Sequence, residues 1–300
     1  FLVTQQRSQS STRPAATGSR PPVVLQVLPA LQTGGVERTT VDVAQALQRA
    51  GWVALVASSG GPMVRELERI GARHVTLPLA SKNPLTMRAN ARKLAVLIRE
   101  QQVDIVHARS RAPAWSARTA ARKAGVHFLT TFHGTYGHAN PLKRRYNAVM
   151  LQGEQVIANS AFIADHIRMV YGIDEGRLVT IPRGIDTGRF DPARVSAERM
   201  IQLATDWRLP DGVPIVMLPG RLTRWKGQAV LIEALARLGE REVLALLIGD
   251  DQGRKAYRQE LIYLVSKHRL QGKVRLIEHC RDMPAAYMLA DVVVSDSSDP

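Results

Sequence analysis

Residues 218–227 read LPGRLTRWKG and join a buried strand to an amphipathic helix. The apolar run at 213–218 predicts the strand, and the apolar spacing at 228–238 predicts the helix. A strand that ends in a glycine turn beside a helix N-terminus presents backbone N–H groups and a partial positive charge. Arg221 and Lys226 add two full positive charges at the same place. The stretch is therefore typical of a site for a diphosphate.

Strand and helix patterns alternate from residue 23 to the end of the chain. Strands are predicted at 23–29, 52–57, 74–79, 103–108, 128–132, 155–158, 178–181, 215–218, 243–248, 274–277 and 292–295. Helices are predicted at 36–49, 63–70, 85–99, 112–124, 143–151, 162–170, 194–205, 228–238, 255–268 and 283–289. This alternation with short loops indicates parallel, doubly wound sheets.

The length of 300 residues suffices for two such α/β domains, each with its own core. We predict an N-terminal domain over 21–185 and a C-terminal domain over 212–300. Residues 186–211, rich in Pro, Asp and Arg, are predicted to connect them.

Composition places the protein among ordinary globular chains, with 45% apolar and 22% charged residues. No apolar run reaches the roughly 18 residues that a membrane-spanning helix needs. The single cysteine, Cys280, cannot form an internal disulfide and suits a reducing compartment. A cytoplasmic protein is therefore expected.

Both ends of the sequence look incomplete. Residues 1–20 are rich in Ser, Thr, Gln and Arg, and they predict a disordered leader. The strand pattern at 290–295 lies only five residues before the last residue, Pro300. Since a parallel strand needs a following helix to cover it, the natural protein is expected to continue.

Positive charge is concentrated in one part of the first half. The net charge is +15, and residues 81–145 hold thirteen Lys and Arg against two acidic residues. Residues 201–300 hold fourteen against thirteen. Such a patch suits anionic lipid headgroups, a phosphorylated glycan or nucleic acid, and its plain alternative is a solvated helix face. The aromatic share of 5% and the lack of a recognisable binding motif disfavour nucleic acid.

Other turns after predicted strands also carry polar residues. The turn at 32–38, QTGGVER, has two glycines that permit close backbone approach to a ligand, although such a pair is most often only a turn. His107 and His133 end neighbouring strands at the edge where open α/β sheets bind ligands. Asn159 and Ser160 precede a helix that Ser160 is expected to cap.

A metal site formed by the histidines was also considered. His133 and His138 are five residues apart, and His107 could lie near them. A metal would need a further ligand, and no Asp-x-Asp stands near these loops. Metal dependence is not expected, since Arg221 and Lys226 can supply the positive charge.

Taken in order, the segments GGVER, TFHGT, ANS, IPRGID and GRLTRWKG resemble the retaining GT-B glycosyltransferases of glycosyltransferase family 4. The resemblance covers nearly all of residues 23–300. It implies an α/β fold of two Rossmann-like domains that face a cleft, the second one incomplete in this chain. It also implies transfer of a sugar from a nucleotide-diphosphate sugar to an acceptor hydroxyl, with retention and with no cofactor.

The resemblance also implies roles for particular residues. The implied catalytic group is His133, Arg221 and Lys226, the last two acting on the departing diphosphate. Donor binding is implied for Arg221 and Lys226 together with Gly34, Gly35, Gly220, Asn159, Ser160 and Asp250. Acceptor-side positions are implied for Glu37, Arg38 and His107, and no residue is implied as a metal ligand.

The sequence departs from the family pattern in two places. Arg183, in IPRGID, stands where Asn is usual, so the sugar contacts of that segment are open. The family's E-x7-E segment, whose second Glu binds the donor ribose, would begin where the sequence ends at Pro300.

The basic stretch 81–145 suggests a lipid-linked or lipopolysaccharide-type acceptor and a peripheral position on the inner face of the cell membrane. Two alternatives stay open beside glycosyl transfer: a nucleotide-sugar epimerase of the same fold, and an inactive truncated homologue. A nucleic-acid-binding protein, suggested by charge alone, is not expected.

Overall fold

The computed structural model describes residues 20–137, 140–253, 255–278 and 280–297. The chain divides into two compact units, Phe1–Gly184 and Ile185–Pro300. The predicted leader, apart from Arg20, lies outside the described residues, as does His138. Arg20 itself forms a 2.7 Å ion pair with Asp104, beside the first strand of the sheet.

In the described part of the first unit, seven parallel strands form one sheet in the order β3-β2-β1-β4-β5-β6-β7. Their bounds are β1 Val23–Val27, β2 Val53–Ser58, β3 Arg73–Thr76, β4 Ile105–Ala108, β5 His127–Phe132, β6 Gln155–Ala158 and β7 Leu178–Thr180. The connecting helices are α1 Gly35–Arg49, α2 Val64–Arg69, α3 Pro84–Glu100, α4 Arg111–Ala124, α5 Pro141–Asn147 and α6 Ala161–Tyr171.

Helices cover both faces of this sheet. Leu25 of β1 packs on one face in a core that includes Leu94 of α3 and Ala117 of α4. On the other face, Val56 of β2 packs with Val41 of α1. Burial on both sides explains why the strands are continuous apolar runs, as is typical of parallel sheets.

The strand order reverses between β1 and β4. The chain builds outward from β1 to β3 and then returns to start β4 on the other side of β1. Helix α1, which follows β1, and helix α4, which follows β4, pack on opposite faces. The carboxyl ends of β1 and β4 therefore form the crevice in which open α/β sheets bind ligands.

The second unit contains a smaller parallel sheet, ordered β10-β9-β8-β11. Its strands are β8 Ile215–Pro219, β9 Leu244–Ile248, β10 Val274–Ile277 and β11 Val292–Val293. Its helices are α7 Ala197–Asp206, α8 Gln228–Arg237, α9 Lys255–Lys267 and α10 Met283–Leu289.

Helix α7 lies within the segment that was predicted to connect the domains. Leu203 and Trp207 pack against the core that contains Met217 of β8. Arg199 also donates two hydrogen bonds to Asp282, at the start of α10. The helix is therefore part of the packing of the second unit.

The prediction of two parallel α/β sheets is confirmed, and every predicted strand and helix is present, most of them with shifted bounds. One predicted helix, 143–151, is divided. Asn140 caps α5 by accepting a hydrogen bond from the Leu142 N–H, and after Asn147 the chain tightens into a 3₁₀ turn, Ala148–Leu151. Among the described residues, no helix combines the length and apolar character needed to cross a bilayer.

Candidate active site

The carboxyl edge of the first sheet carries a cluster of positive side chains. Arg109 directly follows β4, His133 directly follows β5, and Arg183 lies after β7. Gly34 and Gly35, which begin α1, lie at the end of the turn after β1. Because all these strands are parallel, their carboxyl ends meet at one edge of the sheet.

Arg109 is buried, with 3% of its surface exposed. Its Nε and Nη2 donate to Oε1 of Gln26 on β1, at 2.9 and 2.6 Å. Gln26 in turn donates from Nε2 to the Thr40 carbonyl of α1 at 3.0 Å. Burial, and then the charge of Arg183, lower the pKa of Arg109 from 12.5 to about 9, so the guanidinium stays charged at neutral pH.

Arg183 lies between the start of α1 and the end of β5. Its Nη2 is 3.4 Å from Nδ1 of His133 and 3.3 Å from the His133 carbonyl oxygen. Its Nη1 lies 2.7 Å from the position that a Cβ on Gly35 would take. A side chain at position 35 would therefore displace the guanidinium, so the position of Arg183 requires glycine here.

Negative charge does not balance this cluster. Within the part of the chain that the structure describes, neither Arg109 nor Arg183 forms a salt bridge. Glu37 is close enough to raise the pKa of Arg183 against the larger lowering by burial, and its carboxylate lies over Gly34. Asp42 also raises the pKa of Arg109, but it is ion-paired with Arg38. Among the described residues, no carboxylate pairs directly with either guanidinium, and the edge favours an anionic ligand.

His133 is a neutral imidazole at physiological pH. Burial, followed by the charges of Arg109 and Arg183, lowers its pKa from 6.5 to about 3. Nδ1 faces the Arg183 donor, so the ring proton belongs on Nε2. Nε2 is buried and has no hydrogen-bond partner in the described residues, as is also true of Oδ1 of Asn159 after β6. An unpartnered buried polar atom costs about 1–3 kcal/mol, which a hydrogen-bonding ligand would offset.

Three other predicted residues have structural partners. His107 is buried and pairs through Nε2 with Oγ1 of Thr131 at 2.7 Å, and burial holds its pKa well below 6.5. Ser160 caps α6 by accepting from the Ile163 N–H at 3.2 Å, as expected. Arg38 forms ion pairs with Asp42 and Glu66, at 3.0 and 2.7 Å.

The loop between β8 and α8 in the second unit carries Arg221 and Lys226. The aliphatic stem of Lys226 packs on Gly220, its Nζ bonds Oγ of Ser297 at 3.1 Å, and the ammonium lies 4.3 Å from the Trp225 ring centre. Arg221 is exposed and donates to Oε1 of Gln252 at 3.2 Å. The two cations lie at the start of α8, where the helix end adds positive potential.

Two backbone N–H groups of this loop are used within the fold. The N–H of Gly220, a residue for which donor binding was expected, donates to the Ile248 carbonyl at 2.8 Å. The Leu222 N–H likewise donates to the Asp250 carbonyl at 3.1 Å. The loop runs beside the turn after β9 because Gly249 permits contact between the two backbones. The carboxylate of Asp250 accepts from the Gln252 N–H within that turn.

Among the described residues, no three His, Cys, Asp or Glu side chains converge as a metal site requires. His138, one of the three histidines considered for a metal, lies outside these residues.

Neither Gln26 nor Arg109 was predicted from the sequence as a site residue. A signal for Gln26 was available, because a lone amide interrupts the otherwise apolar strand VVLQV. A buried polar side chain in a central strand needs a partner, and the register places Gln26 opposite His107, two residues before Arg109.

The chain matches two family models. Residues 33–189 match the model described as Glycosyltransferase Family 4, and residues 202–299 match Glycosyl transferases group 1. A D-inositol 3-phosphate glycosyltransferase from Xylanimonas cellulosilytica is 27% identical over 302 residues, which cover 88% of this chain and 70% of that protein. Other proteins of the same name align over half of their length or less.

Solved structures agree with this result. A glycosyltransferase from Rickettsia africae is 38% identical, with a TM-score of 0.82 over 93% of this chain and 74% of that chain. Anabaena Alr3699/HepE, solved with UDP and glucose, shares the fold at 22% identity, with a TM-score of 0.79 over 93% of this chain and 75% of that chain. The architecture of two parallel sheets is thus the GT-B fold, and the chain belongs to glycosyltransferase family 4.

Proposed function

We propose that this chain moves a sugar from a nucleotide-diphosphate sugar to a hydroxyl of an acceptor glycan, with retention and without a metal ion. The bond from C1 of the sugar to the diphosphate oxygen breaks, and the acceptor oxygen bonds to C1 on the same face. The departing diphosphate takes the proton of the acceptor hydroxyl. The observation that carries the proposal is the pair of cations, Arg221 and Lys226, on the loop that leads into α8.

Arg221 and Lys226 stabilise the negative charge that builds on the diphosphate as the C1–O bond breaks. Fixed cations stabilise this developing charge more strongly than water does, because they need no reorganisation during the reaction. Lys226 is held in place by Ser297 and by the Trp225 ring.

His133 positions the sugar in this proposal and does not act as a nucleophile or base. Its Nδ1 is directed to Arg183, and its buried Nε2–H is a donor with no partner in the described chain. That N–H donates to a hydroxyl of the donor sugar. Asn159, with its buried and unpartnered Oδ1, accepts from another polar group of the same ligand.

The acceptor in this proposal is a lipid-linked or lipopolysaccharide-type glycan, and the enzyme acts at the cytoplasmic face of the membrane. Its support is the exposed positive charge of the 81–145 segment, which includes Lys143, Arg144 and Arg145 on α5. Anionic surfaces attract such clusters. The name of the Xylanimonas relative makes D-inositol 3-phosphate the first soluble acceptor to test.

The donor site is tested by thermal unfolding with UDP, GDP and ADP. A ligand that binds only the native state raises its stability, by about 2.7 kcal/mol at a hundred times its Kd. UDP is the first candidate because the HepE structure contains it. Lys226→Ala should abolish the shift and lower kcat by about 10²–10³, whereas Lys267→Ala, on the exposed end of α9, should leave both unchanged.

Product analysis separates transfer from its alternatives. Retention predicts that the glycoside keeps the anomeric configuration of the donor, as read by NMR couplings, and that EDTA leaves the rate unchanged. An epimerised nucleotide sugar formed without acceptor would indicate the epimerase instead. No thermal shift with any nucleotide, or equal loss in both lysine variants, would contradict the donor site.

The membrane part of the proposal has its own test. Vesicles with anionic lipid should sediment the protein at low salt, and neutral vesicles should not. Equal sedimentation with both kinds of vesicle would overturn it. High salt should release the protein, because the Debye length shortens to about 3 Å at 1 M.

A further inference from the structure

A pocket of about 530 Å³ lies between α3 and α4, in the basic segment of the first unit. Its lining comes from α3 and the residues before it, from α4, and from one residue of α5: Lys82, Pro84, Met87, Arg88, Ala91, Arg92, Trp115, Ser116, Thr119, Lys123 and Tyr146. The volume is within the range of about 300–1,000 Å³ typical of pockets that hold one small molecule.

Four cations line this pocket, and no carboxylate does. They are Lys82, Arg88, Arg92 and Lys123. None of them forms a salt bridge within the described part of the chain. All four are exposed, so their charges lie where the pocket meets solvent. Four cations without counter-charges favour a ligand that carries a phosphate.

The rest of the lining is mostly apolar and aromatic. Trp115 and Tyr146 lie with ring centres 6.2 Å apart, and Trp115 Nε1 donates to the Tyr146 carbonyl at 3.2 Å. Met87 and Ala91 of α3 complete this surface. The hydroxyl of Tyr146 is buried and has no hydrogen-bond partner in the described residues. The ligand therefore needs an apolar part as well as its phosphate.

The pocket is distinct from the cluster at the sheet edge. None of Arg109, His133 and Arg183 lines it. Helix α5 lies between the two places: Tyr146 faces the pocket, while its neighbour Asn147 donates to the Gly137 carbonyl, in the loop that begins with His133.

We infer that this pocket binds one molecule of a phosphate-bearing lipid. The phosphate lies among the cations, and the first carbons of the chain lie against Met87, Trp115 and Tyr146. The site needs neither a sugar donor nor glycosyl transfer, so it goes beyond the proposed function and stands or falls separately from it. Binding in this pocket also differs from attraction to a charged bilayer, because the pocket should bind a monomeric lipid below its micelle concentration.

Calorimetry with dihexanoyl phosphatidic acid below its micelle concentration tests the inference. Arg92→Ala with Lys123→Ala removes one pocket cation from each helix and should weaken binding by about tenfold or more. Lys93→Ala with Arg122→Ala is the matched control. It removes two exposed cations from neighbouring positions on the same helices, outside the pocket lining, and should change the Kd less than about twofold.

Two further measurements test which chemical groups of the ligand are recognised and whether it binds beside Trp115. Inorganic phosphate and dihexanoyl phosphatidylcholine should both bind much more weakly than phosphatidic acid. Phosphatidic acid should change the tryptophan fluorescence of the protein, and Trp115→Phe should remove that change. Three results would overturn the inference. The two double variants could weaken binding equally, phosphate or phosphatidylcholine could bind as tightly as phosphatidic acid, or phosphatidic acid could fail to bind.

Discussion

Arg183 Nη2 lies 3.4 Å from Nδ1 of His133 and also donates to the His133 carbonyl at 3.3 Å. The contact directs the imidazole proton to Nε2, and the arginine charge adds to burial in keeping the ring neutral. Arg183 therefore positions His133, although the two residues are 50 positions apart in the sequence.

Removing Arg183 should change the titration of His133. In Arg183→Ala, we expect the His133 pKa to rise above its value of about 3 but to stay below 6.5, because burial is the larger cause of the shift. Nitrogen NMR of the ring measures both the pKa and the tautomer, which should lose its preference for Nε2–H. Arg122→Ala, on the exposed face of α4, should change neither. A His133 pKa unchanged in Arg183→Ala would contradict this role.

His133 should also make stability depend on pH. Its folded pKa of about 3 is lower than the 6.5 of an ordinary histidine, so the unfolded state binds the proton first as pH falls. Protonation of His133 therefore does not lower the free energy of unfolding above pH 6.5. As pH falls from 6.5 toward 3, the free energy of unfolding decreases by about 1.4 kcal/mol per pH unit.

The measurement for this prediction is urea unfolding of the native protein and of His133→Gln across that range. The variant should lose less stability with falling pH. His268→Gln in the second unit is the control and should follow the native protein. Parallel curves for the native protein and His133→Gln would show that the ring has the same pKa in the folded and unfolded states.

The buried pair of Gln26 and Arg109 should be a major source of stability in the first unit. Gln26→Leu keeps the size of the side chain but removes the acceptor for two Arg109 donors and the donor to the Thr40 carbonyl. We expect a loss of about 3–5 kcal/mol, since a buried charge loses its hydrogen bonds. Denaturant unfolding measures it, and Gln259→Leu, on the exposed side of α9, should cost much less.

A double-mutant cycle tests whether that cost belongs to the pair. Gln26→Leu combined with Arg109→Leu should be less destabilised than the sum of the two single variants, because the charge left without its partner is then absent. Additive losses would mean that the two side chains act independently.

The strands were predictable because of how parallel sheets are buried. Both faces of β1 and β9 are covered, so VVLQV and LALLI are almost wholly apolar. Turn chemistry placed the ends of helices, as with Ser160 before α6. The break after Asn147 was missed, because apolar spacing continues from α5 into the 3₁₀ turn.

The site was harder to predict, because its contacts join distant parts of the sequence. Gln26 and Arg109 are 83 residues apart and meet only because β1 pairs with β4. Local patterns predicted that His133 and the glycines would end strands, but not which side chains would surround them. The paired N–H of Gly220 was missed for the same reason, since its partner lies on β9.

Gly227 should be required by the loop that carries Lys226. Its φ is +77°, which favours glycine, and a Cβ there would contact the backbone oxygen of Asp296. Gly239 offers a matched control, with φ +64° and nothing within 4 Å of its Cβ position. Gly239→Ala should cost about 1 kcal/mol from backbone strain alone, and Gly227→Ala about 2–4 kcal/mol because the contact adds to it.

Urea unfolding of both alanine variants measures the difference. Asp296 precedes Ser297, the hydrogen-bond partner of Lys226 Nζ, so Gly227→Ala should also weaken nucleotide binding while Gly239→Ala should not. Equal destabilisation by the two variants would mean that the chain near Asp296 moves aside at little cost. In that case the position of Lys226 would not depend on the close contact at Gly227.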